Sequence, residues 1–191
     1  MNAAQGLALT NLVDRVRAIL LRPKDEWPVI ETEQTDAATL YRGYIVPLAA
    51  IGPVAAWIGG SLIFRAPIIT GLAQAIASYV LTLIGTYLFA LIIDGLAPSF
   101  GGTRNRMQGL KVAAYSSTAT WLAGVFSIIP GLSVLGLLGL YSLYLLYIGL
   151  PVLMKVPQDK AVTYTAAVVV LAIVMYLVIG LVAAIPTLSL V

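Results

Sequence analysis

Long apolar runs separated by short polar connections fill most of this chain, but its opening has a different pattern. Over residues 10 to 22, Leu12, Val13, Val16, Ile19 and Leu20 recur at helical spacing, while Asp14, Arg15, Arg17 and Arg22 take the other face. This predicts an amphipathic helix, either packed on a membrane domain or lying at its interface, with a partner-binding helix as the sharper alternative. Asn11 is placed to cap it. Pro23 ends this helix, and Lys24 to Pro28 reads as an irregular headgroup-level stretch with the Trp27 indole as its anchor. Thr35 and Asp36 then form the N-cap signal of a helix that runs on into the first long apolar segment.

Five apolar segments are long enough to cross a bilayer core, which takes roughly 20 residues. They fall at 41–64, 68–96, 111–129, 131–154 and 162–186. The predicted fold is therefore all-α: residues 1–40 form a cytoplasmic or interfacial N-terminal segment, and residues 41–191 form a five-span membrane domain. Pro47 and Pro53 each remove a backbone donor within the first span and invite kinks. Pro130 and Gly131 leave almost no loop between the third and fourth spans, so a tight turn at one membrane surface is expected there in preference to a broken, re-entrant region. Small residues mark the second and third spans with alternating steps of four and three: Gly71, Ala75, Ser78, Thr82 and Gly85 on one, Ala113, Ser117, Thr120, Gly124 and Ser127 on the other. That spacing predicts a close antiparallel seam between the two.

Charge gives these spans a direction. Ten of the eleven Lys and Arg residues precede or open the first span or lie in the connections between spans two and three or four and five, leaving Arg65 alone on the other side. The positive-inside rule then places the N-terminus in the cytoplasm and the C-terminus outside. Asp14, Arg15 and Arg17 interrupt what would have to be the apolar core of a cleavable signal peptide, so the first span is expected to insert uncleaved. Composition agrees: the chain of 191 residues is 60% hydrophobic and 10% charged, far from the usual soluble domain. Cysteine and histidine are absent, which removes thiolate nucleophiles, disulfides and the commonest transition-metal ligands. No catalytic residue, metal or cofactor is expected, and the small net charge speaks to anionic lipid rather than nucleic acid.

Two groups of residues remain as candidate sites. On the cytoplasmic side, Arg104, Arg106 and Lys111, with Arg15 and Arg17, could bind a lipid headgroup or a protein partner, or act only as topology determinants. Within the spans, Asp94 reads as one half of a pinning ion pair or as an ion- or proton-handling acid. Tyr141, Tyr144 and Tyr147 spread along one side of the fourth span, and Gln74, Thr82, Ser117 and Thr120 could give them hydrogen-bond partners or line a narrow polar cavity with them. Gly136 and Gly139, with Gly180 and Ala184, would let another helix approach closely, from this chain or from a second copy.

Three stretches together resemble the Yip1 domain family: Ile19 to Glu31 (ILLRPKDEWPVIE), Gln108 to Leu132 (QGLKVAAYSSTATWLAGVFSIIPGL) and Tyr141 to Pro151 (YSLYLLYIGLP). The likeness is to compact, bacterial-type members. It implies a cytoplasmic N-terminal segment followed by five spans, in agreement with the orientation read from charge. Eukaryotic relatives of this kind work in vesicle trafficking with prenylated Rab-type GTPases. The expectation is a non-enzymatic membrane adaptor or organiser, acting from its cytoplasmic face on lipids, anionic ones among them, or on a protein partner or second copy. The alternative is a small transporter or channel built on the polar faces of spans two to four and Asp94.

Overall fold

The computed structural model describes residues 12–63 and 65–188, and among these there is helix and turn but no strand. The chain opens with α1 (Leu12–Leu21), which buries Arg15 and Ile19; the Asn11 cap lies outside the described residues. Pro23 does more than end α1. Its fixed φ suits a first helical position, and α2 (Pro23–Thr32) starts on it, with Asp25 and Glu26 in the first turn where the helix dipole favours acids. The stretch expected to lie irregularly among headgroups is thus helical, and it turns Trp27 and Ile30 inward.

A second cap is as expected: Asp36 accepts from the Thr39 amide at 2.6 Å and starts α3 (Ala37–Leu40). That hydrogen bond, made to the charged form, holds the Asp36 carboxyl below its usual range. The helix continues through a π-helical turn (Tyr41–Ile45), α4 (Val46–Ala49) and α5 (Ile51–Ile63), giving one long unit, Ala37–Ile63. Both prolines leave marks. The π turn lies immediately before Pro47, and the helix is interrupted at Ala50, three residues before Pro53. A neighbouring group compensates: Tyr79 Oη donates to the Val46 carbonyl at 3.1 Å.

α6 (Ile68–Leu96) extends through a 3-10 turn to Phe100. The third apolar segment is broken. α7 (Arg106–Ser116) stops at Ser117, α8 (Thr118–Ala123) follows, and a 3-10 segment (Gly124–Ile128) completes it. The break has a local cause. Ser117 Oγ donates to Ala113 O at 2.7 Å and Thr118 Oγ1 to Tyr115 O at 2.7 Å, so hydroxyls crowd onto the helix's own carbonyls. The chain passes through extended Ile129 into a second 3-10 segment (Pro130–Leu140) and on to α9 (Tyr141–Met154), which ends at Lys155 in the left-handed region. α10 (Ala161–Leu188) is the last element. Among the described residues, four helical units are long and apolar enough to cross a membrane: Ala37–Ile63, Ile68–Phe100, Val134–Met154 and Gln158–Leu181. The expected third span is not among these four, and it is interrupted at Ser117.

Residues 109–116 of α7 are buried without interruption, which makes this helix the axis of the bundle. The single seam predicted between spans two and three is divided among several neighbours. α6 and α7 meet closely at Gly109, where a Cβ would stand 2.9 Å from the Ala90 carbonyl oxygen. Farther along, Gly124 faces Gly52 of α5, Gly71 lies against Trp57, and Gly85 against Tyr176 of α10. Small residues mark where backbones approach, but not which helix approaches.

Gly59 is the sharpest case, since a Cβ there would lie 2.2 Å from the Ile128 carbonyl oxygen, whereas one at neighbouring Gly60 would meet nothing within 4 Å. Gly59→Ala is expected to destabilise the protein by about 1–3 kcal/mol through overpacking against backbone. Gly60→Ala should be neutral or stabilising by up to about 1 kcal/mol. Thermal unfolding of both variants in detergent checks the pair.

Candidate functional site

The α1–α2 hairpin docks on α7 and α9, and the side chains that hold it come from all parts of the chain. Trp27 is 0% exposed; it stands edge-on to Tyr115 at 6.3 Å between ring centroids and lies over Gly149, where a Cβ would be 2.6 Å from the indole. The expected headgroup anchor is thus a core residue. Lys111 is 2% exposed, and its ammonium donates to the Ile30 and Glu33 carbonyls, both at 2.7 Å. These are carbonyls at the end of α2, which have no partner within that helix and where the helix dipole favours a cation.

Arg15 reaches back from α1 to pair with Glu26 and Glu33, and it lies over the Tyr115 ring at 5.9 Å. Burial works against its charge, but Glu33, Tyr115 and Glu26 outweigh that and hold the guanidinium above its usual range. Gln108 Nε2 donates to the Glu31 carbonyl at 2.9 Å, Lys155 pairs with the Glu31 carboxylate at 2.7 Å, and Tyr141 Oη donates to the Leu20 carbonyl at 2.9 Å. Glu33, Tyr115 and Gly149 had no place among the expected site residues. The pattern held a partial signal for Glu33, since Glu26 and Glu33 are seven residues apart, two helical turns, and both can face one cation.

Of the five basic candidates, then, Lys111 and Arg15 are spent inside the fold, and Arg104, Arg106 and Arg17 are exposed. Gly101 in the left-handed region turns the chain after α6, the Thr103 amide donates to the Met154 carbonyl at 2.9 Å, and the Asn105 side chain caps α7 by accepting from the Met107 and Gln108 amides. These bonds bring the 97–105 connection, the 155–160 connection and the α1–α2 hairpin to one end of the bundle, with Arg104 and Arg106 on its surface.

Asp94 sits just beneath that surface. It is 5% exposed; Oδ2 is 3.9 Å from Nε of the well-exposed Arg104, and Oδ1 has no hydrogen-bond partner among the described residues. A 3.9 Å contact to an exposed guanidinium is a weak staple.

The other intramembrane candidates divide. Thr82, Ser117 and Thr120 line a cavity of about 400 Å³, joined there by Ser116, Ser142 and Tyr176. Gln74 lies instead with Ser78 and Trp57 in a separate recess of about 220 Å³. Of the three tyrosines, Tyr141 packs on Tyr144 at 5.3 Å between ring centroids and is tied to Leu20, while Tyr144 and Tyr147 are 42% and 39% exposed. Gly139 packs internally on Thr120 and Ala123, and Gly136 and Gly180 face open space. Among the described residues no three potential metal-ligating side chains come together.

Lys111→Met keeps length and apolar volume but leaves two inward-facing carbonyls without a donor. It is expected to lower stability by about 1–3 kcal/mol and to expose α2 to proteases before the rest of the chain. Limited proteolysis with mass mapping checks both. Asp94→Asn removes a buried, poorly compensated charge and should leave the unfolding temperature unchanged or raise it. A clear fall in thermal unfolding would show that the Arg104 contact is structural after all.

A model of the Yip1 domain fits residues 17–181, which is most of the chain, and neither a curated protein nor a solved structure matches. The residues around Trp27, Lys111 and Gly149, which meet where the hairpin docks, all lie within the matched range. This chain belongs to the Yip1 domain family.

Proposed function

We propose that this integral membrane protein is a non-enzymatic organiser that gathers anionic lipid headgroups at the cytoplasmic face of a bacterial-type inner membrane. The reading takes the broken third segment, α7 through Ile128, as a fifth crossing. It puts the end bearing the α1–α2 hairpin in the cytoplasm and the C-terminus outside. The distribution of Lys and Arg supports that orientation, since the 97–105 and 155–160 connections and the hairpin all carry cations, and Arg65 stands at the far end of the first span.

One observation carries the functional reading. Lys111 and Arg15 are consumed in docking the hairpin, yet Arg104 and Arg106 stay exposed beside it. Arg106 makes no ion pair among the described residues, and Arg104 makes only the long contact to Asp94. Cations kept at the headgroup level and not needed for packing are available to lipid phosphates, each contributing about 1 kcal/mol near an anionic surface. The docked hairpin gives these arginines a rigid platform.

The test is native mass spectrometry of the protein released from membranes containing phosphatidylglycerol and cardiolipin. Replacing both side chains, Arg104→Ala with Arg106→Ala, is expected to weaken anionic-lipid retention by about thirtyfold at low salt. Thermal stability should stay close to wild type, because both side chains are exposed. Unchanged retention would exclude this loop as the lipid contact.

A further inference from the structure

Leu21, at the turn of the α1–α2 hairpin, is 77% exposed. Around it stand Arg17, one helical turn earlier on the same face of α1, Arg22 in the turn itself and Lys24 in the first turn of α2, all three exposed. None of them makes an ion pair among the described residues, and docking of the hairpin uses other cations, Arg15, Lys111 and Lys155. Of the nearby acids, Asp25 is in the first turn of α2, where the helix dipole already favours it, and Asp14 is near the far end of α1.

What such a surface meets depends on its depth, and the register of the hairpin along α9 sets that depth. Glu31 pairs with Lys155 just past the end of α9, Trp27 lies over Gly149, and the Leu20 carbonyl accepts from Tyr141 at the beginning of the helix. The hairpin thus runs back along the whole of α9, which is 14 residues or about 21 Å long. The other end of α9 is where the Thr103 amide bonds to Met154, next to Arg104. The turn and Arg104 are therefore at opposite ends of this helix.

α9 belongs to the crossing unit Val134–Met154, and the apolar segment before it is too short to cross alone. The 3-10 segment Pro130–Leu140 has 11 residues, about 22 Å at 2 Å each, against a hydrocarbon core of about 30 Å. At least the first 8 Å or so of α9 must lie in hydrocarbon to complete the crossing, and that is the part beside the turn. An exposed leucine at this level faces acyl chains. Bare cations there are costly, but Arg and Lys lay their stems along apolar surface and put their charge among the headgroups, where the anion available is a lipid phosphate.

We infer that the hairpin turn is inserted in the leaflet on the Arg104 side, with Leu21 among the acyl chains and Arg17, Arg22 and Lys24 holding the phosphates of anionic phospholipids drawn inward beside α9. This is a second headgroup site, separated from Arg104 and Arg106 by the length of α9 and sharing no residue with them. It does not rest on lipid binding by those two arginines.

The chain has no cysteine, so Leu21→Cys and Thr103→Cys each give the full-length protein a single position for a nitroxide label. In lipid nanodiscs containing phosphatidylglycerol, the label at position 21 should collide with dissolved oxygen and be shielded several-fold from a water-soluble nickel chelate, relative to the label at 103. Equal access of the chelate at both positions puts the turn in water and overturns the proposal. Shielding of position 21 from both reagents would mean that a protein surface covers it, and overturns the proposal too. Arg17→Gln with Arg22→Gln and Lys24→Gln should weaken phosphatidylglycerol retention in native mass spectrometry by up to about a hundredfold at low salt, each cation contributing about a factor of five. Thermal unfolding should stay near wild type, because the three side chains are exposed, and unchanged lipid retention overturns the site. Since the two sites share no residue, this loss should multiply with that of Arg104→Ala/Arg106→Ala. A loss confined to one of the two variants shows which site fails.

Discussion

A buried ammonium at the end of a helix decides how this protein is assembled. Lys111 stands at the beginning of the long buried run of α7, and its hydrogen bonds go to the last carbonyls of α2. Such a charge is tolerable only where acceptors are already in place, and α2 supplies them because its C-terminal carbonyls lack partners of their own. The dependence is mutual: without the lysine, α2 would bury unsatisfied carbonyls, and without α2, α7 would carry a bare cation into the bundle. The Arg15 pairing with Glu26 and Glu33 then ties α1 to the same place, and Trp27 fills the space left above Gly149. The N-terminal hairpin is thus part of the membrane domain's core and no free arm.

This arrangement leaves the arginines at the basic end with different duties. Cations within reach of acidic partners or helix ends are absorbed into structure, and those on the 97–105 connection remain at the surface. Asp94 lies between the two groups. Its carboxylate is nearly enclosed, yet the exposed Arg104 is its only ion-pair partner among the described residues. The middle of the bundle follows a different rule. There the hydroxyls of Thr82 and Ser117 donate to carbonyls of their own helices, and α7 stops at Ser117 beside a cavity that both residues line.

Much of this was legible in the residues. Long apolar runs bounded by polar connections predicted helices close to the observed Ala37–Ile63 and Ile68–Phe100, and Asp36 was readable as a cap because its side chain acts on an amide three residues away. That Ser117 and Thr120 face one way was readable from their spacing of three, but that Thr82 of α6 lines the same cavity was not, because it lies on another helix. Trp27 was not. An indole between charged residues has the same local sequence whether it lies among headgroups or is covered by another helix, and Gly149, more than a hundred residues away, decides between the two. The seam expected between α6 and α7 was divided for a similar reason: small residues permit close approach without naming the neighbour.

What the sequence by itself determined, therefore, is whatever depends on short range or on solvent: the helical spans, the caps, the one-sided charge and the family likeness. Hydropathy, capping and charge counts act within a few residues, or between a residue and the bilayer, and need no knowledge of the rest of the fold. Tertiary structure alone decided which cations are buried and which helix meets each glycine. Those outcomes rest on contacts between residues distant in the chain, Lys111 with Ile30 and Glu33, Trp27 with Gly149, Gly59 with Ile128. In each the energy belongs to the pair, and neither residue carries it alone.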